Sequence, residues 1–112
     1  MLKNNNIFCD VDETLVREVL FDETPDVEFV FNGCLFRKKV NYNLIEKLKE
    51  KSKTVFIIIW TSNSLGSEYA ETIIDIVGLR QFIDVVLFKP TKIIDDSPIF
   101  DWYLNQEKPN DF

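Results

Sequence analysis

Three short apolar runs in this chain end abruptly in polar residues. Ile7-Phe8-Cys9 stops at Asp10. Thr54 to Trp60, rich in β-branched residues, stops at Thr61-Ser62-Asn63. Lys92-Ile93-Ile94 stops at Asp95-Asp96. Runs of this length read as buried strands. Three that each deliver polar groups at the C-terminal end predict an open α/β sheet with its chemistry along the carboxyl edge. Other elements fall between them. Val27 to Phe31 and Cys34 to Val40 flank Asn32-Gly33, and Asn-Gly tolerates positive φ at both positions, so a hairpin is predicted over 27–40. Leu44, Ile45 and Leu48 share one face of a predicted helix over 41–51, capped by Asn41 or Asn43. Leu65, Tyr69, Ile73, Ile76 and Val77 recur at helical spacing in a second helix, opened by Ser64 and stopped by Gly78. This spacing makes Tyr69 a core residue. Asp84 to Phe88 is a further apolar run, which Lys89-Pro90 ends because proline cannot continue a ladder. Ser97-Pro98 opens a short helix to about Asn105, and Gln106 to Phe112 is a polar tail.

Composition narrows the function classes. With 112 residues, 46% of them apolar and ten of them Phe, the chain is one folded domain with a single modest core. A formal net charge of −6 argues against broad nucleic-acid or anionic-membrane binding. The absence of histidine excludes His-based triads, and Cys9 and Cys34 form neither a disulfide framework nor a zinc spacing. Met1 to Asn6 lacks the apolar core of a signal peptide and no run reaches membrane-spanning length, so a cytoplasmic protein is expected.

Asp10 and Asp12 are two residues apart, and in extended backbone both carboxylates face one side. Such a pair repels itself unless a cation or a shared proton compensates. Alternatively, Asp12 caps the turn that follows. Taken with the downstream signals, Asp10-Val11-Asp12-Glu13-Thr14, Thr61, Lys89 and Asp95-Asp96 resemble, in order, the four motifs of the haloacid dehalogenase (HAD) superfamily of phosphohydrolases. The DxDxT element is specific when it follows an apolar strand; a lone threonine or lysine is not. Glu13 stands where many members carry glycine. The intervals 15–40 and 62–88 leave no room for a cap domain, so the whole chain, 1–112, would be one small capless member.

The resemblance implies a compact Rossmann-like open, mainly parallel sheet flanked by helices, with a β-hairpin flap after the first strand. It implies a Mg²⁺-dependent phosphatase acting through an aspartyl-phosphate. Asp10 would be the nucleophile and Asp12 the acid and base. Thr61 and Lys89 would hold the transferring phosphoryl group, beside Ser62 and Asn63. Asp10, Asp12, Asp95 and Asp96 would hold the metal. Only Pro90 to Ile94 separate Lys89 from Asp95, so a trimmed sheet is expected and Lys92 rivals Lys89 for the lysine role. Arg37 and Lys39, on the second arm of the hairpin, would meet a phosphorylated substrate, small or macromolecular, or else are charges protecting an exposed edge. A homo-oligomer would be one way to close the open site. Two other classes remain: a HAD-like binding or scaffold protein without turnover, and a receiver-like domain that accepts one phosphoryl group.

Overall fold

A computed structural model describes residues 3, 5–96 and 106–112. In chain order it contains β1 (Asn6–Cys9), β2 (Val16–Glu18), β3 (Val27–Phe31), β4 (Cys34–Val40), α1 (Tyr42–Lys51), β5 (Phe56–Thr61), α2 (Ser67–Ile76) and β6 (Val85–Phe88). Short 3₁₀ turns lie at Arg80–Phe82 and Pro109–Asp111. The helix expected to open at Ser97-Pro98 lies outside the described residues.

Among the described residues the six strands form two sheets. β5 lies between β1 and β6 in a parallel sheet, with Ile7 opposite Ile57, Cys9 opposite Ile59, and Ile59 opposite Val86. β4 lies between β2 and β3 in an antiparallel sheet, with Val16 opposite Val40 and Phe29 opposite Phe36. The hairpin turn has φ of 50° at Asn32 and 77° at Gly33, the left-handed pair that a two-residue connection needs.

This corrects the expected Rossmann-like open, mainly parallel sheet. Half of the strands are antiparallel, and the hairpin is no mere flap, because Val16–Glu18 joins it as a third strand. Among the described residues the parallel sheet also stops at β6. Lys92-Ile93-Ile94, expected as the last acidic strand, has no regular structure, and Ile94 is 95% exposed. Pro90 withholds the backbone N–H that a strand following directly on β6 would need.

The core lies between the two sheets and helices α1 and α2. Cys9, Ile57 and Ile59 from the parallel sheet meet Leu44, Ile45 and Leu48 of α1, Tyr69, Ala70, Ile73 and Ile74 of α2, and Phe29 of the antiparallel sheet. Alternation puts Phe8, Phe56, Val85 and Leu87 on the opposite face of the parallel sheet, where all four are exposed. Asn41, not Asn43, caps α1: its side-chain oxygen accepts from Leu44 N at 3.2 Å. It also ties the helix to the loop after β1, since Asn41 N donates to Leu15 O at 2.8 Å. α2 starts later than expected, with Gly66 at its N-cap (φ 85°) and Leu65 outside the helix. Among the described residues no helix is long and apolar enough to cross a membrane.

These placements separate two isoleucines. Ile59→Ala opens a cavity at a fully buried position and is expected to cost about 3 kcal/mol. Ile94→Ala is expected to change stability by no more than about 0.5 kcal/mol. Urea denaturation of the two variants checks the pair, and equal losses would restore the missing strand.

Candidate active site

The loop after β1 is wound around one carbonyl. Val11 O accepts from Thr14 N at 3.2 Å, Leu15 N at 2.9 Å and Val16 N at 3.3 Å, while Glu13 N donates to Val16 O at 2.7 Å. Val11, Leu15 and Val16 are buried and pin the loop to the core, leaving Asp10, Asp12 and Thr14 partly open. The tight path forces Glu13 to a φ of 61°, a region in which a side chain on Cβ crowds the backbone.

Three strand ends converge on this loop. Asp10, directly after β1, accepts on Oδ1 from Val11 N at 2.8 Å, and the Lys89 ammonium lies 3.4 Å from the same oxygen. Lys89 N donates to Thr61 O at 2.8 Å, which carries the β5–β6 ladder one residue further and fixes where the lysine leaves the sheet. Its ammonium also lies 5.7 Å from the centre of the Trp60 ring, which packs on Phe8. The Cys9 thiol donates to Asp10 O at 3.4 Å; burial first, and the Asp10 charge second, push the thiol up to about 12.

Asp12 is held from the other side. Asn63 Nδ2 donates to its Oδ2 at 2.8 Å, and the Tyr69 hydroxyl donates to its Oδ1 at 3.2 Å. Asn63 is itself anchored: its backbone N–H donates to Thr61 Oγ1 at 3.0 Å, and its Oδ1 accepts from Leu65 N at 2.8 Å. The Tyr69 ring is fully buried against Phe29, Phe31 and Phe36, with centroids 6.2, 5.9 and 5.5 Å away. Burial, then the Asp12 charge, hold its hydroxyl well above the ordinary tyrosine range, so it stays a donor.

Lys89 therefore meets Asp10, and Asn63, expected beside the phosphoryl group, instead holds Asp12; Ser62 is exposed after the end of β5. Thr61 is there too, but only 1% exposed, and its hydroxyl supports Asn63 instead of lying open to a ligand. Lys89, not Lys92, is the cation against Asp10. Asp95 and Asp96 lie in the exposed irregular segment after β6, and among the described residues no three acids, cysteines or histidines converge to hold a metal. The four-acid Mg²⁺ cage that the resemblance implies does not fit this arrangement.

Arg37 and Lys39 are turned away. Both lie on the face of β4 opposite Phe36, and Phe36 is the residue that packs on Tyr69. Arg37 pairs with Glu28 at 3.3 Å, and Lys39 with Asp26 at 3.0 Å, beside the doubly bonded Arg17–Glu23 pair. Because β4 is the central strand, these charges do not protect an edge either. Lys38, between them, points inward; it is 5% exposed and pairs with Glu18 across the β2–β4 register at 2.6 Å.

Sequence reasoning missed Tyr69 as a site residue because helical spacing places it in the core. The signal was the hydroxyl: a buried tyrosine needs a polar partner, and the acidic loop after β1 supplies one. Compared with models of protein families and with curated protein sequences, the chain matches none.

Two outcomes follow from this loop. Glu13→Gly is expected to leave the melting temperature unchanged or raise it, while Glu13→Val, β-branched at positive φ, lowers stability by roughly 1 kcal/mol or more. Alkylation with iodoacetamide at neutral pH is expected to label exposed Cys34 and spare Cys9 until denaturant is added. Equal labelling rates in the native protein would contradict the buried thiol.

Proposed function

We propose that this chain is a phosphomonoester hydrolase that works through an aspartyl-phosphate on Asp10, the activity implied by its resemblance to HAD phosphohydrolases. The observation that carries the proposal is the Lys89 ammonium 3.4 Å from Asp10 Oδ1, at an edge where Asp12 is also held. A carboxylate becomes a useful nucleophile when it is positioned and a cation beside it offsets the charge of the phosphoryl oxygens.

Asp10 Oδ1 already carries the contacts to Val11 and Lys89, so Oδ2 is the attacking oxygen. It forms the bond to phosphorus as the bond to the leaving oxygen breaks, and that oxygen takes a proton from the Asp12 carboxyl. Asp12, now a carboxylate, takes a proton from water as the water attacks phosphorus. Phosphate leaves and the Asp10 carboxylate is restored. Lys89 offsets the charge on the phosphoryl oxygens throughout, and exposed Ser62 offers them a hydroxyl donor. The substrate is a phosphomonoester, small or carried on a macromolecule.

Asp10→Asn is expected to abolish release of 4-nitrophenol from 4-nitrophenyl phosphate, assayed with and without Mg²⁺, while the melting temperature stays close to native. Near-native turnover by Asp10→Asn would rule out the covalent route. A native protein that releases nothing under either condition would favour a binding or scaffold role, and one that stops after a single phosphoryl transfer a receiver-like role.

A further inference from the structure

We propose that Tyr69 and Asn63 are positioning residues that fix the plane of the Asp12 carboxyl and so aim its proton at the leaving oxygen. The proposal rests on the hydrolase activity proposed above and assigns it two residues outside the chemistry itself.

Each oxygen of Asp12 has its own donor, Tyr69 OH at 3.2 Å on Oδ1 and Asn63 Nδ2 at 2.8 Å on Oδ2. Two donors on two different oxygens remove the freedom about the terminal side-chain torsion that a carboxyl otherwise has. Each oxygen keeps a further lone pair, so the clamp does not occupy the place of the transferable proton. Both donors are rigid. Asn63 cannot flip its amide without losing the bond from Leu65 N to its Oδ1, and its backbone is tied to Thr61. Tyr69 cannot swing its ring, which is fully buried among three phenylalanines contributed by β3 and β4. The antiparallel sheet thereby reaches the reacting centre through one hydroxyl. A misplacement of about 1 Å at a reacting group can cost on the order of 100-fold in rate, so the loss of either donor is felt in the step in which Asp12 gives up its proton.

That step supplies a readout that a purely structural role does not move. An alkyl phosphate has a poor leaving oxygen that needs protonation as the bond breaks, whereas 4-nitrophenolate leaves with little help. The value of kcat/KM, which reports the first half-reaction, is measured for glycerol 2-phosphate and for 4-nitrophenyl phosphate with native protein, Tyr69→Phe and Asn63→Ala. Tyr69→Phe keeps the buried ring and removes only the hydroxyl; Asn63→Ala alters a loop and leaves the core untouched. The expected result is a loss of about 10-fold or more on the alkyl ester with about 3-fold or less on the aryl ester, in both variants. Equal losses on the two esters, or none, would overturn the positioning role while leaving the hydrolase standing. A native protein inactive on both esters would overturn the hydrolase and this role together.

Discussion

The contact between the Tyr69 hydroxyl and Asp12 joins parts of the molecule that otherwise have separate reasons to exist. The ring belongs to the core and the oxygen to the acidic loop. Around the ring, Phe29, Phe31 and Phe36 give the antiparallel sheet a surface to pack against; beneath it, Ile73 and Ile74 of α2 join the parallel sheet in the same cluster. A buried hydroxyl left without a partner costs about 1–3 kcal/mol, and Asp12 removes that cost only where the loop after β1 holds its present path. That path depends in turn on Val11 O receiving three backbone donors and on Asn41 N bonding Leu15 O. Core packing and site geometry are thus one constraint.

The parts legible in the sequence are those set by short-range pattern. Apolar runs located β1, β5 and β6 because buried strands need uninterrupted apolar residues, and Asn32-Gly33 located the β3–β4 turn because few other pairs adopt its backbone. The polar residues that follow these strands bring Lys89 to Asp10 and Asn63 to Asp12. Other features rest on long-range pairing that local pattern does not carry. β2 is only Val-Arg-Glu and exists through its register with Val40, Lys39 and Lys38. Lys92-Ile93-Ile94 looks like a strand, yet two isoleucines just after a proline have too little to bury and too few donors to pair. Seeing both would have separated the two sheets and taken Asp95 and Asp96 off a strand end.

The basic arm of β4 shows how much one position matters in a strand. Arg37 and Lys39 face outward into a lattice of acids, where Arg17 and Lys39 stand directly opposite each other. Like charges in register repel, and Glu23 and Asp26 offset this; the Arg17 fork draws Glu23 down to about 2, while the Val40 N–H and then Lys39 lower Asp26. Lys38, one residue away, is buried on the inner face, pairs with exposed Glu18 and lies 5.9 Å from the Phe36 ring centre. A cluster of three cations in the sequence is therefore two separate electrostatic environments, and the one nearer Tyr69 belongs to the middle residue.

The site's contacts also set when it can exist during folding. Asn63 reaches Asp12 across 51 residues, Tyr69 reaches it across 57, and Lys89 meets Asp10 from a third strand still further along the chain. None of these pairs is local, so each must wait for a long loop to close and for parallel strands to find their register, the slow class of folding event. A collapsed chain with α1, α2 and the β3–β4 hairpin already formed would hold most of its secondary structure and no assembled acidic centre. The contacts to Asp10 and Asp12 would form in a refolding experiment only with the last cooperative step, as a reporter of the complete topology.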